Sequence, residues 1–372
     1  MNIGLYLNLD DNYDRAVASG ILSFAKGKDW NLYGKGLWFS KICGQHLDGL
    51  IARIESEKDA DECLRYGVPV VDIAGATGKV KFNIVKNDDE LTGTMAGHYL
   101  KGSGAERFAI VLVKDVVWSQ ERFQGYLNTL SASPVSIPSF SAPLSYWHDI
   151  YGMSGRLEEF LLFLDKPTAL FCVNDLSAMK VVLTCNRVGI RIPEDLLVMG
   201  VDNEELMCML AKPSISSLGL RLRRIGYEAA SRLQEVVGGG DTSIVTRYIP
   251  PTGIMERESS MCVYSKDPLV AKTVMNIKRM ASSGLSCGEM IAGIPLCRRR
   301  LEERFTRDRG RTILEEVILV RLAKAENLLA STDIKIEEIW KDCGFGSAQR
   351  FFTLFKKKNG MTPDMWRKAN RY

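Results

Sequence analysis

Over its first 260 residues the chain alternates short apolar runs with longer amphipathic ones. The short runs predict strands at Ile3–Asn8, Asn31–Gly36, Gly49–Ala52, Val68–Ile73, Val80–Val85, Phe108–Val113, Ala169–Val173, Leu197–Val201 and Ile215–Leu218. The amphipathic runs predict helices at 12–28, 57–66, 90–102, 120–131, 151–164, 176–188 and 221–237. Strands that alternate with helices of this length make βαβ units and parallel sheets. So many strands exceed one small sheet, so two parallel-sheet lobes are expected within residues 1–260. The chain leaves the first lobe near 103–107. The segment 221–237 comes late enough to return to it, so the chain crosses between lobes more than once.

From Pro268 the pattern is helical throughout. Residues 261–267 read as a linker, and 268–372 as a separate all-α unit. Ser286-Cys-Gly-Glu289 and Thr312-Ile-Leu-Glu315 are capping boxes that open helices. One short-helix, turn, helix arrangement occurs twice, at about 286–309 and 336–359. In the first, Leu301 and Phe305 form an i, i+4 apolar pair, followed by Gly310 and Thr312. In the second, Phe351 and Phe355 do the same, followed by Gly360 and Thr362. Such a pair buries one face of the helix and leaves Arg, Lys and Gln on the other. The helix between the units, 313–331, would span about 28 Å at 1.5 Å per residue. That is close to the roughly 34 Å between successive major grooves on one face of DNA.

Charge sharpens this division. Residues 268–372 hold 21 basic and 12 acidic residues, net +9; the preceding 267 hold 28 and 33, net −5. A basic module points to a polyanion partner, double-stranded DNA first; a solvated basic surface is the plainer alternative. Nine cysteines are scattered without a C-x-x-C pair, and the three histidines lie far apart. Neither a disulfide framework nor a metal site is expected. No G-x-S-x-G, Walker A loop or G-x-G-x-x-G occurs, so no catalytic residue and no cofactor is assigned and an enzyme is not expected. With no apolar run long enough for a membrane helix and no signal-peptide pattern at the start, a cytoplasmic protein is expected.

Ligands of open parallel sheets bind outside the carboxyl ends of the strands. There the sequence places Asp10–Arg15, Asn87-Asp88-Asp89, Trp118–Arg122, Asn174-Asp175 and Asp202-Asn203-Glu204. Carboxylates accept from hydroxyls, arginine donates in a fork, and an indole covers an apolar sugar face. Each of these Asp and Asn residues is equally a candidate turn former or helix N-cap.

Phe171-Cys-Val-Asn-Asp175, Val198-Met-Gly-Val-Asp202-Asn203 and Arg122-Phe-Gln-Gly-Tyr126 resemble the strand-end motifs of the LacI/periplasmic-binding-protein sugar-binding fold. The resemblance spans about 1–260. It implies a bilobal sugar sensor with ligand contacts at Asp88, Arg122, Asp175 and Asp202. Asn12-Tyr-Asp-Arg15 and Trp118 look like ligand segments of pentose-sensing members, which adds Arg15 and Trp118. LacI-type repressors begin with a DNA-binding headpiece, whereas this sequence starts at the first sheet strand, so DNA binding is expected elsewhere. Ile339, Cys343-Gly-Phe345, Phe351, Phe355-Lys356, Gly360 and Thr362-Pro363, with Arg321 and Ala325, resemble the AraC-type DNA-binding domain across about 268–367. That resemblance places Cys297, Arg298, Arg299, Arg300 and Glu303 on the groove-facing side of one recognition helix. On the other it places Ser347, Ala348, Gln349, Arg350 and Thr353, with Lys356 and Lys357 meeting phosphate. Two departures stand out: Trp340 where the family has a small residue, and Cys297 where Ser is frequent.

Together these readings imply a sugar-responsive transcription factor, an activator of pentose-use genes, xylose-like sugars first. A homodimer and contact with RNA polymerase follow by analogy. A repressor-type regulator with a hexose or nucleoside ligand, and a sugar-modifying enzyme, are the rival readings.

Overall fold

The computed structural model describes residues 1–34, 46–77, 82–131, 137–152, 155–240, 243–262, 264–265, 267–332 and 334–370. Parts of the strands expected at 31–36 and 80–85 therefore fall outside the described residues. No helix among the described residues is long and apolar enough to cross a membrane.

The first sheet contains β1 (Asn2–Tyr6), β2 (Asn31–Gly34), β3 (Gly49–Ala52), β4 (Val70–Asp72), β5 (Asn83–Asn87) and β11 (Thr246–Ile249). The second contains β6 (Phe108–Val113), β7 (Ser139–Ala142), β8 (Thr168–Cys172), β9 (Leu196–Asp202), β10 (Ser216–Gly219) and β12 (Ile254–Met255). Their orders, β11-β5-β4-β3-β1-β2 and β12-β10-β9-β8-β6-β7, are the same order repeated. Every pairing is parallel except β12 against β10. Ile3, Ile51, Val71 and Val85 fill the first core, and Ile110, Phe171, Val198 and Leu218 the second; all are fully buried. Such two-sided burial explains why these strands read as continuous apolar runs. Short β7, β11 and β12 lie at sheet edges, and their mixed composition gives a weak periodic signal.

Helices α1 (Asn12–Ala25), α2 (Glu57–Leu64), α3 (Asp89–Gly102), α4 (Val117–Leu130), α5 (Leu144–His148), α6 (Gly155–Phe163), α7 (Asp175–Val188), α8 (Glu205–Leu210) and α9 (Leu222–Val237) connect the strands. Two of them change lobes. The chain crosses directly after β5, before α3 and not near 103–107 as expected, and α3 packs on α4 with Ala96 and Leu100 in the second core. After β10 it crosses back, and α9 packs on α1 with Ile225, Ala229 and Leu233 in the first core. A third crossover joins β11 to β12. Both helix pairs approach so closely that only glycine fits. A Cβ on Gly125 would lie 1.9 Å from Glu90 O, and one on Gly226 1.9 Å from Val17 O.

The C-terminal unit contains α10 (Pro268–Met280), α11 (Cys287–Ile291), α12 (Arg298–Arg309), α13 (Ile313–Ser331), α14 (Ile336–Asp342), α15 (Ala348–Asn359) and α16 (Pro363–Asn370). Asp267 caps α10 through Leu269 and Val270 N–H, with Pro268 at its first position. Both expected capping boxes form. The second helix-turn-helix unit ends at Gly360, the C-cap of α15. Pro363 then opens α16, as proline does at a first helical turn.

One helix, α13, serves two cores. Ile313 and Val317 pack with Val270, Ile277, Leu301 and Phe305. Leu322, Ala325 and Leu329 pack with Ile339, Phe351 and Phe355. Between them Arg321 donates from Nε to Ala281 O and from Nη2 to Leu285 O, each at 2.8 Å. Gly344 has φ +79°, and a Cβ there would lie 2.3 Å from Ala281 O, so the two units press together at this turn. Trp340 packs at the edge of the second core, with Lys341 Nζ 5.6 Å from its ring.

Candidate functional site

A cleft of about 1280 Å³ opens between the lobes. It lies at the carboxyl ends of β1, β3 and β5 from one lobe and β6, β8 and β9 from the other. Strand order reverses at β1/β3 and again at β6/β8, the topological position where such sheets bind ligands.

Arg122 stands at its centre. It sits one helical turn into α4, is 3% exposed, and donates from Nε to Asp89 at 2.8 Å. Its Nη1 donates to Val173 O at 2.5 Å and lies 3.6 Å from Asp202. Trp118, four residues earlier on the same helix face, stacks at 4.8 Å from the guanidinium. Burial pushes the Asp89 carboxyl upward, against the pull of Arg122 and Lys86.

Asp175 is 1% exposed and accepts from Glu204 N–H at 2.8 Å, Ser217 Oγ at 2.6 Å and Cys208 Sγ at 3.3 Å. Burial first, and the neighbouring Asp202 carboxylate second, hold its pKa far above the usual carboxylate range. Asp202 and Asn203 have φ of +108° and +51°, in the region side chains avoid. Asn203 is held there by its N–H to Ser217 Oγ at 2.9 Å and by Arg257 Nη2 on its side-chain oxygen at 2.7 Å. Non-glycine strain of this kind collects at ligand clamps.

Capping a helix and lining the cleft overlap at these strand ends: Asn174 does both, whereas Asp88 only caps. Asp88 and Asn174 are N-caps, accepting from Leu91 and Ser177 N–H. The next residues, Asp89 and Asp175, line the cleft. Asp88, expected as a ligand contact, caps α3 and is not among the cleft-lining residues, whereas its neighbour Asp89 lines the cleft. Arg15 lines the cleft, but its Nη1 donates to Leu9 O and Asp10 O and braces the loop before α1.

Several lining residues were not foreseen. Arg53 follows β3 and pairs with Asp11, Asp14 and Glu55 over the Tyr13 ring. Burial raises Asp14 to about 6 in spite of Arg53. Lys86 to Glu121 at 2.5 Å and Asn12 Nδ2 to Glu204 at 3.2 Å are contacts between the lobes. Asn87 donates to Tyr13 Oη at 3.0 Å, while its own buried Oδ1 has no hydrogen-bond partner. The strand-end rule applied to β3 would have found Arg53. Lys86 sits on a strand placed too early in the sequence reading, whereas Asn87 was already among the strand-end residues named there.

In the C-terminal unit, Leu301, Phe305, Phe351 and Phe355 are buried as expected. Their helices leave the other predicted positions outward. Cys297, Arg298, Arg299, Arg300 and Glu303 are exposed on α12 and at its start, with Arg299 paired to Glu303 at 3.2 Å. On α15, Gln349, Arg350, Thr353, Lys356 and Lys357 are exposed and Ala348 half-buried. The helix starts differ: Ser347 accepts from Arg350 N–H, whereas Cys297 makes no side-chain cap bond.

Among the described residues no group of three or more His, Cys, Asp or Glu side chains is arranged to hold a metal ion.

Residues 98–260 match the model of a periplasmic binding protein-like domain, and 294–369 that of a helix-turn-helix domain. The chain is 28% identical over 377 residues to the xylose operon regulatory protein of Haemophilus influenzae, covering 98% of this chain and 97% of that one. To the protein of the same name in Escherichia coli K12 it is 27% identical over 384 residues, covering 99% and 97%. A solved structure of a xylose-binding transcription activator superposes with a TM-score of 0.61 at 26% identity, covering 100% of this chain and 98% of the other. By their names these relatives are regulators of an operon or of transcription. With a periplasmic-binding-protein-like sensor ahead of an AraC-type helix-turn-helix domain, the chain is a homologue of the xylose operon regulatory proteins.

Proposed function

We propose that the chain is a ligand-responsive, sequence-specific transcription factor whose effector is a pentose such as xylose, and that it activates sugar-utilisation genes. The cleft supports this reading most. Asp89, Asp175 and Asp202 offer acceptors for hydroxyls, Arg122 offers a planar fork of donors, and Trp118 offers an aromatic face. All stand at or just beyond the carboxyl ends of strands in two facing sheets.

A sugar held by both lobes favours their closed arrangement, and it acts only through that difference in affinity. The output is DNA contact by two helices. Arg298, Arg299 and Arg300 on α12, and Gln349 and Arg350 on α15, carry the side chains that read guanine and adenine edges. Glu303, Ala348 and Thr353 share those faces, Ser347 and Cys297 start the helices, and Lys356 and Lys357 meet phosphate. Dimerisation, contact with RNA polymerase and residence in the cytoplasm belong to the same reading.

Calorimetry with D-xylose on the full chain tests the sensor half. Arg122→Ala is expected to weaken binding by roughly a hundredfold, since it removes charge-assisted hydrogen bonds. Trp118→Ala, which leaves the ion pairs in place, weakens it less. Failure of the wild-type chain to bind any pentose would overturn the effector assignment. On a duplex selected by the wild-type chain, Arg350→Ala is expected to cost about 1–3 kcal/mol and to relax preference at one base pair. Equal affinity for random DNA would overturn the regulator assignment.

A further inference from the structure

The C-terminal unit is fastened to the sensor at several defined points. Tyr264 N–H donates to Ser103 O at 2.8 Å and its hydroxyl to Pro193 O at 2.9 Å. Arg309 Nη2 donates to Gly102 O at 3.0 Å. Lys278 pairs with Glu256 at 2.5 Å, which also accepts from Tyr99 Oη at 2.7 Å. These contacts hold α10 and α12 to the second lobe.

One contact differs from the rest. Asn327, on α13, donates from Nδ2 to Ile254 O at 2.9 Å. Ile254 is the first residue of β12, where the third crossover enters the second lobe. The crossovers are the covalent links between the lobes, so their torsions absorb any relative rotation. Near Asn327 two of them are tied together: Thr252 N–H donates to Gly219 O at 2.8 Å, and Gly219 N–H to Gly253 O at 2.9 Å. The fit is close, since a Cβ on Gly253 would lie 3.4 Å from Asn327 Oδ1 and one on Gly219 2.5 Å from Thr252 Oγ1. Asn327 also lines the cleft itself, beside Thr252, Gly253 and Met255.

The mounting of Asn327 completes the connection. It lies between Ala325 and Leu329, which are buried in the core of the second helix-turn-helix unit. The same helix carries Ile313 and Val317 of the first unit's core. A shift at Asn327 therefore reaches both recognition helices through one rigid element.

We infer that Asn327 is the positioning residue that passes cleft closure from the third crossover to α13, and so to both DNA-contacting helices. This rests on the reading of the cleft as the effector site. Asn327 contributes through the Ile254 carbonyl it holds, and its loss leaves the carboxylates and Arg122 of the cleft in place.

The test uses the full chain, D-xylose, and a duplex selected by the wild-type chain. Three quantities are measured: xylose affinity by calorimetry, DNA affinity without xylose, and DNA affinity at saturating xylose. For Asn327→Ala the DNA affinity without xylose is expected within twofold of wild type, and the xylose affinity fixes the concentration needed for saturation. The ratio between the last two is expected to fall about fivefold or more towards one, the scale of ordinary allosteric coupling. Asn327→Gln, which keeps an amide donor, recovers part of that ratio. Arg309→Ala, which cuts a tether away from the crossovers, keeps the ratio within twofold of wild type. A wild-type ratio in Asn327→Ala, or equal loss in Arg309→Ala, would overturn the inference. A wild-type chain that binds no xylose sinks the pentose assignment instead. The same measurements then run with the sugar that raises the chain's melting temperature most in a panel, since a ligand of the native state stabilises it.

Discussion

The molecule contains two duplications, and they are joined in opposite ways. In the sensor, each five-strand unit gives its closing helix to the other lobe: α3 to the second, α9 to the first. The halves are interlocked, yet their facing strand ends stay apart and leave a cleft. In the C-terminal unit the halves exchange nothing. They share α13, and their contact at Arg321 and Gly344 fixes them side by side. Interlocking through crossovers permits a hinge between two rigid cores, whereas sharing a helix sets a fixed spacing. A sensor needs the first property and a reader of two groove segments needs the second.

The largest expected effect breaks the shared-helix half. Phe355 is fully buried against Phe351 and Trp366. Phe355→Ala should cost about 3–5 kcal/mol in the second helix-turn-helix unit. Scanning calorimetry should show that unit's transition moved down with the sensor transition in place. A sensor that melts with it would mean the two duplications are not separate cooperative units. Next in size is the interlock. Gly125→Val forces α3 and α4 apart and should cost about 1–3 kcal/mol, with both lobes still melting together. Separate transitions for the lobes would break the interlock. The smallest effect is a pH dependence confined to the sensor. Asp175 has a folded pKa raised above its unfolded value, so the native state holds the proton more tightly. Its contribution to stability is intact below the ordinary carboxylate range and is lost as pH rises through the raised folded value. The sensor should thus melt lower at pH 8 than at pH 5, and Asp175→Asn should flatten that slope; an unchanged slope would remove Asp175 as its source.

Much of this architecture was legible along the chain. The β1, β3, β6, β8 and β9 runs are continuous and apolar because helices cover both faces of each sheet. The two capping boxes and the i, i+4 pairs at 301/305 and 351/355 placed the basic helices within a residue or two of their observed limits. The return of 221–237 to the first lobe was also foreseen, although its pairing with α1 was not. Helix-to-helix contact through Gly20 and Gly226 leaves only two glycines in the sequence, and glycine has many other uses. The cleft was half legible. Arg122, Trp118, Asp175 and Asp202 line it together, but Asp88 and Asp89 are chemically alike and only the helix start distinguishes the cap from the cleft-lining residue. Asn327 carried no local signal at all. Its place depends on how a distant helical unit rests against a crossover, a relation that periodicity does not encode.

The exchange of α3 and α9 also decides how this chain can be cut. A fragment ending after α3 would present Val17 and Ile21 without the Ile225, Ala229 and Leu233 that cover them. A fragment of the middle third would lack Asp89–Gly102 and open the wall formed by Ala96 and Leu100. No uninterrupted stretch of residues 1–261 contains one whole lobe without elements of the other, so nicking one crossover leaves two pieces that each need the other. The segment 268–370, by contrast, owns its entire core and can be lifted out in one piece. Recombination can therefore exchange the DNA-reading module with a single join, while the sensor must be inherited whole.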